Sequence, residues 1–361
     1  MKKLIFTAAY LVLFSSFLNI SRIIAQNNVQ VNVINSDENE TVIEFFFDSF
    51  EKIPVMINGA TYYKLMLEKG SHTMIPGFPE IPLLSRSIII PDDKKVSIEI
   101  LEKEASVYSY PVIPSKGNLF RDQDPASVPF TFGDIYEKDE FYPSTLVEIG
   151  TPYILRDFRG INIKVFPFSY NPVQNILNVY HKIVARLSYS GKGVVNVKAR
   201  KQNTINNFFE PIYKQHFINY ESGGKYPMVG EDGRILVICY SSFMDEIAPY
   251  VEWKIQKGIQ TDLYDVATIG NTTTNIDNFI QNQYNLGDGL TFVQLVGDAS
   301  QVVTPTYSGG GSDPSYTLVD GNDDYPDIVI GRFSAENSTQ IETQIERTIH
   351  YERDLSWGGW L

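Results

Sequence analysis

Leu290-Thr-Phe-Val-Gln-Leu-Val296 runs into Gly297-Asp298 and a long polar loop. The loop ends in Asp320-Gly-Asn-Asp323-Asp324-Tyr325-Pro326-Asp327, and Ile328-Val-Ile-Gly-Arg332 follows directly. The first and last segments, apolar and rich in β-branched residues, read as buried strands. The loop carries Gly309-Gly310-Gly311 and no helical periodicity. Strand reversal would bring Asp298 and Asp327 together; a parallel pair would put them at opposite ends of a sheet, and the pattern fits either. Asp323, Tyr325 and Asp327 share one face of an extended chain. Two carboxylates and a carbonyl are the hard oxygen donors that calcium takes. Asp298 would complete the shell if the strand ends meet. The plain alternative is a solvated acidic loop, since no EF-hand spacing is present.

Upstream, from Gly233, strand and helix patterns alternate. Ile235–Tyr240 reads as a buried strand, and a helix follows from about Glu246 with Ile247, Tyr250, Val251 and Ile255 on one stripe. Pro249 suits only its first turn, and Gly258 closes it. A strand over about 259–266 leads to a helix carrying Ile276, Phe279, Ile280 and Tyr284, with Thr272–Thr274 available as caps. After the fourth strand, a last helix is expected near Thr339, capped with Glu342 and burying Ile341, Ile345 and Ile349. These features predict an open α/β domain with a mostly parallel sheet. Ligands in such folds sit at the carboxyl ends of the strands.

Residues 26 to about 200 differ. Val42–Phe47, Ser87–Ile90, Val96–Leu101, Asn162–Phe166 and Ile183–Ser188 are strand-like, several with period-two alternation, between turn signals such as Pro91-Asp-Asp and Asn171-Pro. No amphipathic helix stands out, so a β-sandwich or barrel is expected. Pro114 to Pro125 is a polar loop with Arg121 at its tip, either ordinary exposed chain or a basic side chain offered to a partner pocket or protease. From Ala199 to Gly233 the composition turns polar. Glu221-Ser-Gly-Gly-Lys225-Tyr226 reads as an exposed linker, with Lys225 a natural scissile residue.

The 361 residues suffice for two cores, and 43% are hydrophobic. A net charge of −13 argues against a nucleic-acid partner. Lys2-Lys3 before an apolar run from Leu4 to about Leu18 predicts a signal peptide over 1–25, hence export through the periplasm to a secreted or cell-surface location. No later stretch is apolar enough to span a bilayer. The single cysteine, Cys239, sits inside an apolar strand, where a thiol is inert. His72, His181, His216 and His350 have no nucleophile elbow beside them, and no zinc spacing, P-loop or Rossmann fingerprint occurs, so no catalytic residue is assigned.

Longer motifs add to this. Ile81-Pro-Leu-Leu-Ser-Arg-Ser87, Ile154-Leu-Arg-Asp-Phe-Arg-Gly160, Tyr170-Asn-Pro-Val173, Val251-Glu-Trp-Lys254, Leu295-Val-Gly-Asp298, Gly321-Asn-Asp323 and Arg347-Thr-Ile-His-Tyr-Glu-Arg353 together resemble the gingipains, calcium-containing cysteine endopeptidases secreted by bacteria. The resemblance implies an inhibitory propeptide over 26–225 that binds its own catalytic domain. It implies that 226–361 is the first half of a caspase-like catalytic domain, whose catalytic histidine and cysteine lie further on. It places processing at Lys225, and an inhibitory or second processing role at Arg121. It places calcium on Asp298, Asp323, Tyr325 through its carbonyl, Asp327, and Asp320 through its carbonyl. Asp327 stands where the family has a longer glutamate. The complete enzyme would cleave protein or peptide substrates after Arg or Lys. The rival expectations are a stand-alone protease inhibitor or surface-binding protein of the same descent, and a magnesium-dependent hydrolase using the acidic cluster.

Overall fold

The computed structural model describes residues 29–199, 204–220 and 229–354; the expected signal over 1–25 and the expected scissile Lys225 lie outside them. Antiparallel pairing dominates the first unit. One sheet runs Val29–Ser36, Glu40–Phe47, Ile176–Ser190, Phe168–Asn171, and Lys95–Tyr108 also pairs with Ile176–Ser190. The other runs Ser71–His72, Pro82–Ile89, Phe158–Val165, Val147–Ile149, and Tyr153–Leu155 also pairs with Phe158–Val165. Alternation decides which side chains turn inward. Ile43, Phe45, Ile183 and Leu187 of the first sheet meet Leu84, Ile88, Ile161 and Ile163 of the second in one buried cluster, as in a sandwich. A hairpin, Glu51–Ile57 with Ala60–Met66, turns through Asn58-Gly59. Both turn residues have positive φ, 49° and 82°, as the tight hairpin turn that matches strand twist requires.

The second unit is α/β. Its elements are β1 (Arg234–Cys239), α1 (Met244–Gln256), β2 (Gln260–Asp265), α2 (Thr273–Asn285), β3 (Leu290–Val296), β4 (Val329–Phe333) and α3 (Ser338–Arg353). The sheet order is β2-β1-β3-β4, and every pair is parallel. All six residues of β1 are buried, because helices cover both faces. Ile276, Ile280 and Tyr284 of α2 pack on Leu236, Ile238, Val293 and Leu295. Ile247 and Tyr250 of α1, with Ile341 and Ile345 of α3, pack on Ile235, Val237, Cys239 and Val296. Trp253 and Lys254 of α1 and Lys257 at its C-cap converge on the Glu352 carboxylate of α3 at 3.0, 2.5 and 2.8 Å.

Local details depart from the sequence reading. α1 begins at Met244, behind a 3-10 turn over Ser241–Phe243, so Pro249 falls in its second turn. Ile255 is 54% exposed, and Lys254 is buried in its place by its ion pair with Glu352. α3 is capped by Asn337, whose side chain accepts from Gln340 N at 3.1 Å, rather than by Thr339. Gly258 does end α1 as expected, at φ 85°. The polar composition of 199–233 gave 204–220 no element, and the structure builds several there. Thr204–Asn206 pairs in parallel with Val229–Glu231, a helix spans Glu210–His216, and Phe209, Tyr213 and Phe217 are buried against Tyr153 and Leu155.

Candidate functional site

Tyr153–Leu155 and Phe158–Val165 form a hairpin whose two-residue turn is Arg156-Asp157. That turn enters the α/β unit at the amino ends of β3 and β4. Arg156 is 1% exposed and holds φ 47°, a left-handed conformation in which a non-glycine residue is strained and needs support from its surroundings. Its Nη1 donates to Leu290 O and Asp327 O, both at 2.8 Å, and its Nη2 donates to Thr291 Oγ1 at 3.2 Å. Its backbone N–H donates to Asp327 Oδ1 at 2.9 Å, and its carbonyl accepts from Lys198 Nζ at 2.6 Å. Parallel strands leave slanted carbonyls unmet where they begin, and a planar guanidinium is the side chain whose donors reach several at once.

Asp157 balances the cation. Its Oδ1 lies 3.6 Å from Arg156 Nε. Its Oδ2 accepts from Tyr213 Oη at 2.9 Å and from Asn206 N at 3.2 Å. Burial pushes the Asp157 carboxyl above the usual carboxylate range, against the pull of Arg156 and Tyr213. Asn206 Nδ2 donates to Thr291 Oγ1 at 2.7 Å, so Thr291 is shared by two residues of the first unit.

Around this centre lies the acidic loop. Asp327 is fully buried. Its Oδ1 takes the Arg156 N–H, and its Oδ2 takes Val319 N at 3.1 Å and Asp320 N at 2.8 Å. Burial pushes its carboxyl up to about 7 even with those N–H donors pulling the other way. Asp323 Oδ2 takes Ile154 N at 2.9 Å, and its Oδ1 takes Tyr325 N at 3.0 Å. Lys198 Nζ lies 3.2 Å from Asp320 Oδ2. Tyr325 stacks on Tyr153 with ring centroids 3.8 Å apart, and Tyr153 Oη meets His216 Nε2 at 2.7 Å.

Asp320, Asp323, Tyr325 and Asp327 therefore gather at one end of the sheet. Asp298 does not join them. The parallel register pairs Phe292 with Val329 and Val296 with Phe333, which puts Asp298 past the carboxyl end of β3 and Asp327 before the amino end of β4. Asp298 instead accepts from Ser334 Oγ at 2.8 Å, a bond that holds its carboxyl below the usual range. Both oxygens of Asp323 and of Asp327 are already met by N–H donors. Among the described residues no three acidic, histidine or cysteine side chains are placed to hold a metal ion. This donor set does not fit calcium held by the five residues together.

Arg121 sits on an exposed loop, beside Phe120 at 77% exposure. Lys116 Nζ closes the loop on itself by donating to Pro125 O at 2.7 Å, and Ser115 ties its base to the unit by accepting from Gly77 N at 2.9 Å and donating to Phe78 O at 2.7 Å. Cys239 is fully buried, and burial pushes its thiol up to about 12, so it is no nucleophile. His181 Nε2 meets Ser106 Oγ at 2.9 Å, but its Nδ1 faces the Phe47 carbonyl at 3.3 Å rather than an orienting carboxylate. What the geometry builds is a docking site. Sequence reading gave Arg156, Asp157, Lys198, Asn206 and Thr291 no role. The available signal was Arg156 itself, a long cationic side chain at a turn position between apolar strand segments that Gly, Asn or Asp more often takes.

The β-rich unit thus inserts a buried turn at the amino edge of a parallel α/β sheet. The comparisons give its family. The propeptide model of family C25 matches residues 23–228, and the model of peptidase family C25 matches residues 229–361. The chain belongs to the gingipain family of C25 peptidases. It is 32% identical over 334 residues to gingipain R2 of Porphyromonas gingivalis, covering 91% of this chain and 45% of that protein. Against Lys-gingipain of the same organism it is 26% identical, covering 86% of this chain and 19% of that one. The chain thus spans less than half the length of these relatives. The solved complex of Porphyromonas gingivalis RgpB pro- and mature domains aligns at TM-score 0.50 and 28% identity, covering 54% of this chain and all of that one. That complex holds a prodomain together with a mature domain. No helix among the described residues is long and apolar enough to cross a membrane.

Proposed function

We propose that this chain is the amino-terminal part of an exported, gingipain-like cysteine endopeptidase zymogen. Its β-rich unit acts as the propeptide and its α/β unit as the first half of a caspase-like catalytic domain. The observation behind this reading is the buried Arg156-Asp157 turn, in which Arg156 holds the first unit on the second through bonds to Leu290 O, Thr291 Oγ1 and both the carbonyl and the carboxylate of Asp327. The exposed Arg121 loop supports an inhibitory role, because a basic side chain on a tied-back loop can enter a cleft that accepts Arg or Lys. Cys239 is the chain's one cysteine and is buried, so hydrolysis needs residues that the relatives carry over the rest of their length. In the whole enzyme a thiolate would attack the peptide carbonyl, with a histidine moving the proton.

The test is to express the gene at the length of the relatives and assay peptides ending in Arg or Lys before and after the prodomain is removed. Hydrolysis that appears on removal is expected. A separated unit that stays inert with its downstream cysteine intact, or equal hydrolysis before and after, overturns the reading.

A further inference from the structure

We infer that Arg156 is the anchor that keeps the prodomain on the α/β unit after the chain between residues 220 and 229 is cut, and that this attachment is separable from the Arg121 loop. The inference rests on the zymogen reading only in naming the two partners. Its physical content is the interface itself. One side chain collects the carbonyls of Leu290 and Asp327 and the hydroxyl of Thr291, all from the α/β unit, through a guanidinium that is 1% exposed. The same residue's N–H caps the buried Asp327 carboxylate. Around it, Ile154 N on Asp323, Lys198 on Asp320, and Tyr153 stacked on Tyr325 shut the centre off from water. A buried arginine ringed by weaker contacts is the arrangement that concentrates binding energy in a few residues.

The location matters as much as the contacts. The anchor grips the amino ends of β3 and β4. Ligands of open α/β sheets sit at the opposite, carboxyl ends, on the side of Gly297 and Asp298. The hydrogen bonds of the Arg121 loop, such as Lys116 to Pro125 and Phe120 N to Gln123, stay within the first unit. The Arg156 anchor and the Arg121 loop are therefore separate parts of the first unit, and of the two, among the described residues, only the anchor bonds to the α/β unit. Cutting the linker removes the tether without disturbing the anchor, so the two halves stay together as a complex.

The experiment places a specific protease site in the 221–228 segment of the full chain, cuts it, and follows the halves by gel filtration over a dilution series. With Arg156 intact, the halves co-elute at micromolar concentration. Arg156→Ala is expected to weaken the pair by about a hundredfold or more, and Arg121→Ala to leave it unchanged. Should Arg156→Ala fail to fold, Thr291→Val removes the hydroxyl that Arg156 and Asn206 share while keeping side-chain shape, and is expected to weaken the pair by about tenfold. Wild-type halves that part on cutting, or a folded Arg156→Ala or Thr291→Val pair that holds like wild type, overturn the inference. No catalysis is read, so a failed zymogen assay and a failed anchor are distinguishable.

Discussion

Asp327→Ala tests what the acidic loop is for. In the structure the carboxylate is fully buried and accepts three backbone N–H groups, from Arg156, Val319 and Asp320. Alanine leaves all three without an acceptor. A buried donor left unmet costs about 1–3 kcal/mol. The Asp320 N–H lies in a partly exposed stretch and can rehydrate, and the loop can relax. The expected loss is therefore about 3–5 kcal/mol rather than the full sum. Urea unfolding of the full chain with and without a chelator is the assay. On this account the wild type unfolds alike in both, and the variant loses the same amount in both. A loss under about 1 kcal/mol, or a wild-type stability that collapses on chelation, would refute the N–H cup and restore the calcium cage.

Other outcomes follow from the same packing. Phe217→Ala empties a buried ring site in the 204–220 segment and is expected to cost about 3–5 kcal/mol in urea unfolding, whereas a linker residue would cost almost nothing. At Glu352, burial alone would raise the pKa, but hydrogen bonds from Lys254, Lys257 and Trp253 outweigh it and hold the carboxyl at about 2 against 4.5. Its contribution is therefore complete above pH 4.5 and fades as the pH falls toward 2. Glu352→Gln is expected to remove about 1–2 kcal/mol at pH 7, the discount reflecting its partial exposure, and to flatten the acid limb of the stability curve. Cys239 is expected to resist thiol reagents in buffer and react only in denaturant; labelling of the folded chain would contradict its burial.

The α/β unit was readable because its signals are local. The Ile276, Ile280 and Tyr284 stripe, the Thr272 cap and the apolar runs of β1 and β3 all became what their spacing predicted. The direction of β4 was not readable, since a loop without a helix does not say whether the chain reverses or crosses over. That single ambiguity decided whether Asp298 could meet Asp327. The helix over Glu210–His216 was readable in principle: Phe209, Tyr213 and Phe217 recur every four residues, but the polar composition around them masked the stripe. The partners of Asp323 and Asp327 were beyond local reading. An acid in a loop looks the same whether its oxygens meet calcium or N–H groups, and here the deciding donors, Ile154 and Arg156, come from a distant hairpin.

Native-state hydrogen exchange at the Ile154 and Arg156 amides bears most directly on the docked precursor. Both N–H groups belong to the β-rich unit and end on carboxylates of the α/β unit. If the units are docked as described, the two amides exchange as slowly as those in the middle of β3, and Asp327→Ala releases the Arg156 amide. If they exchange at the rate of an exposed turn in the intact chain, the two units are not joined there.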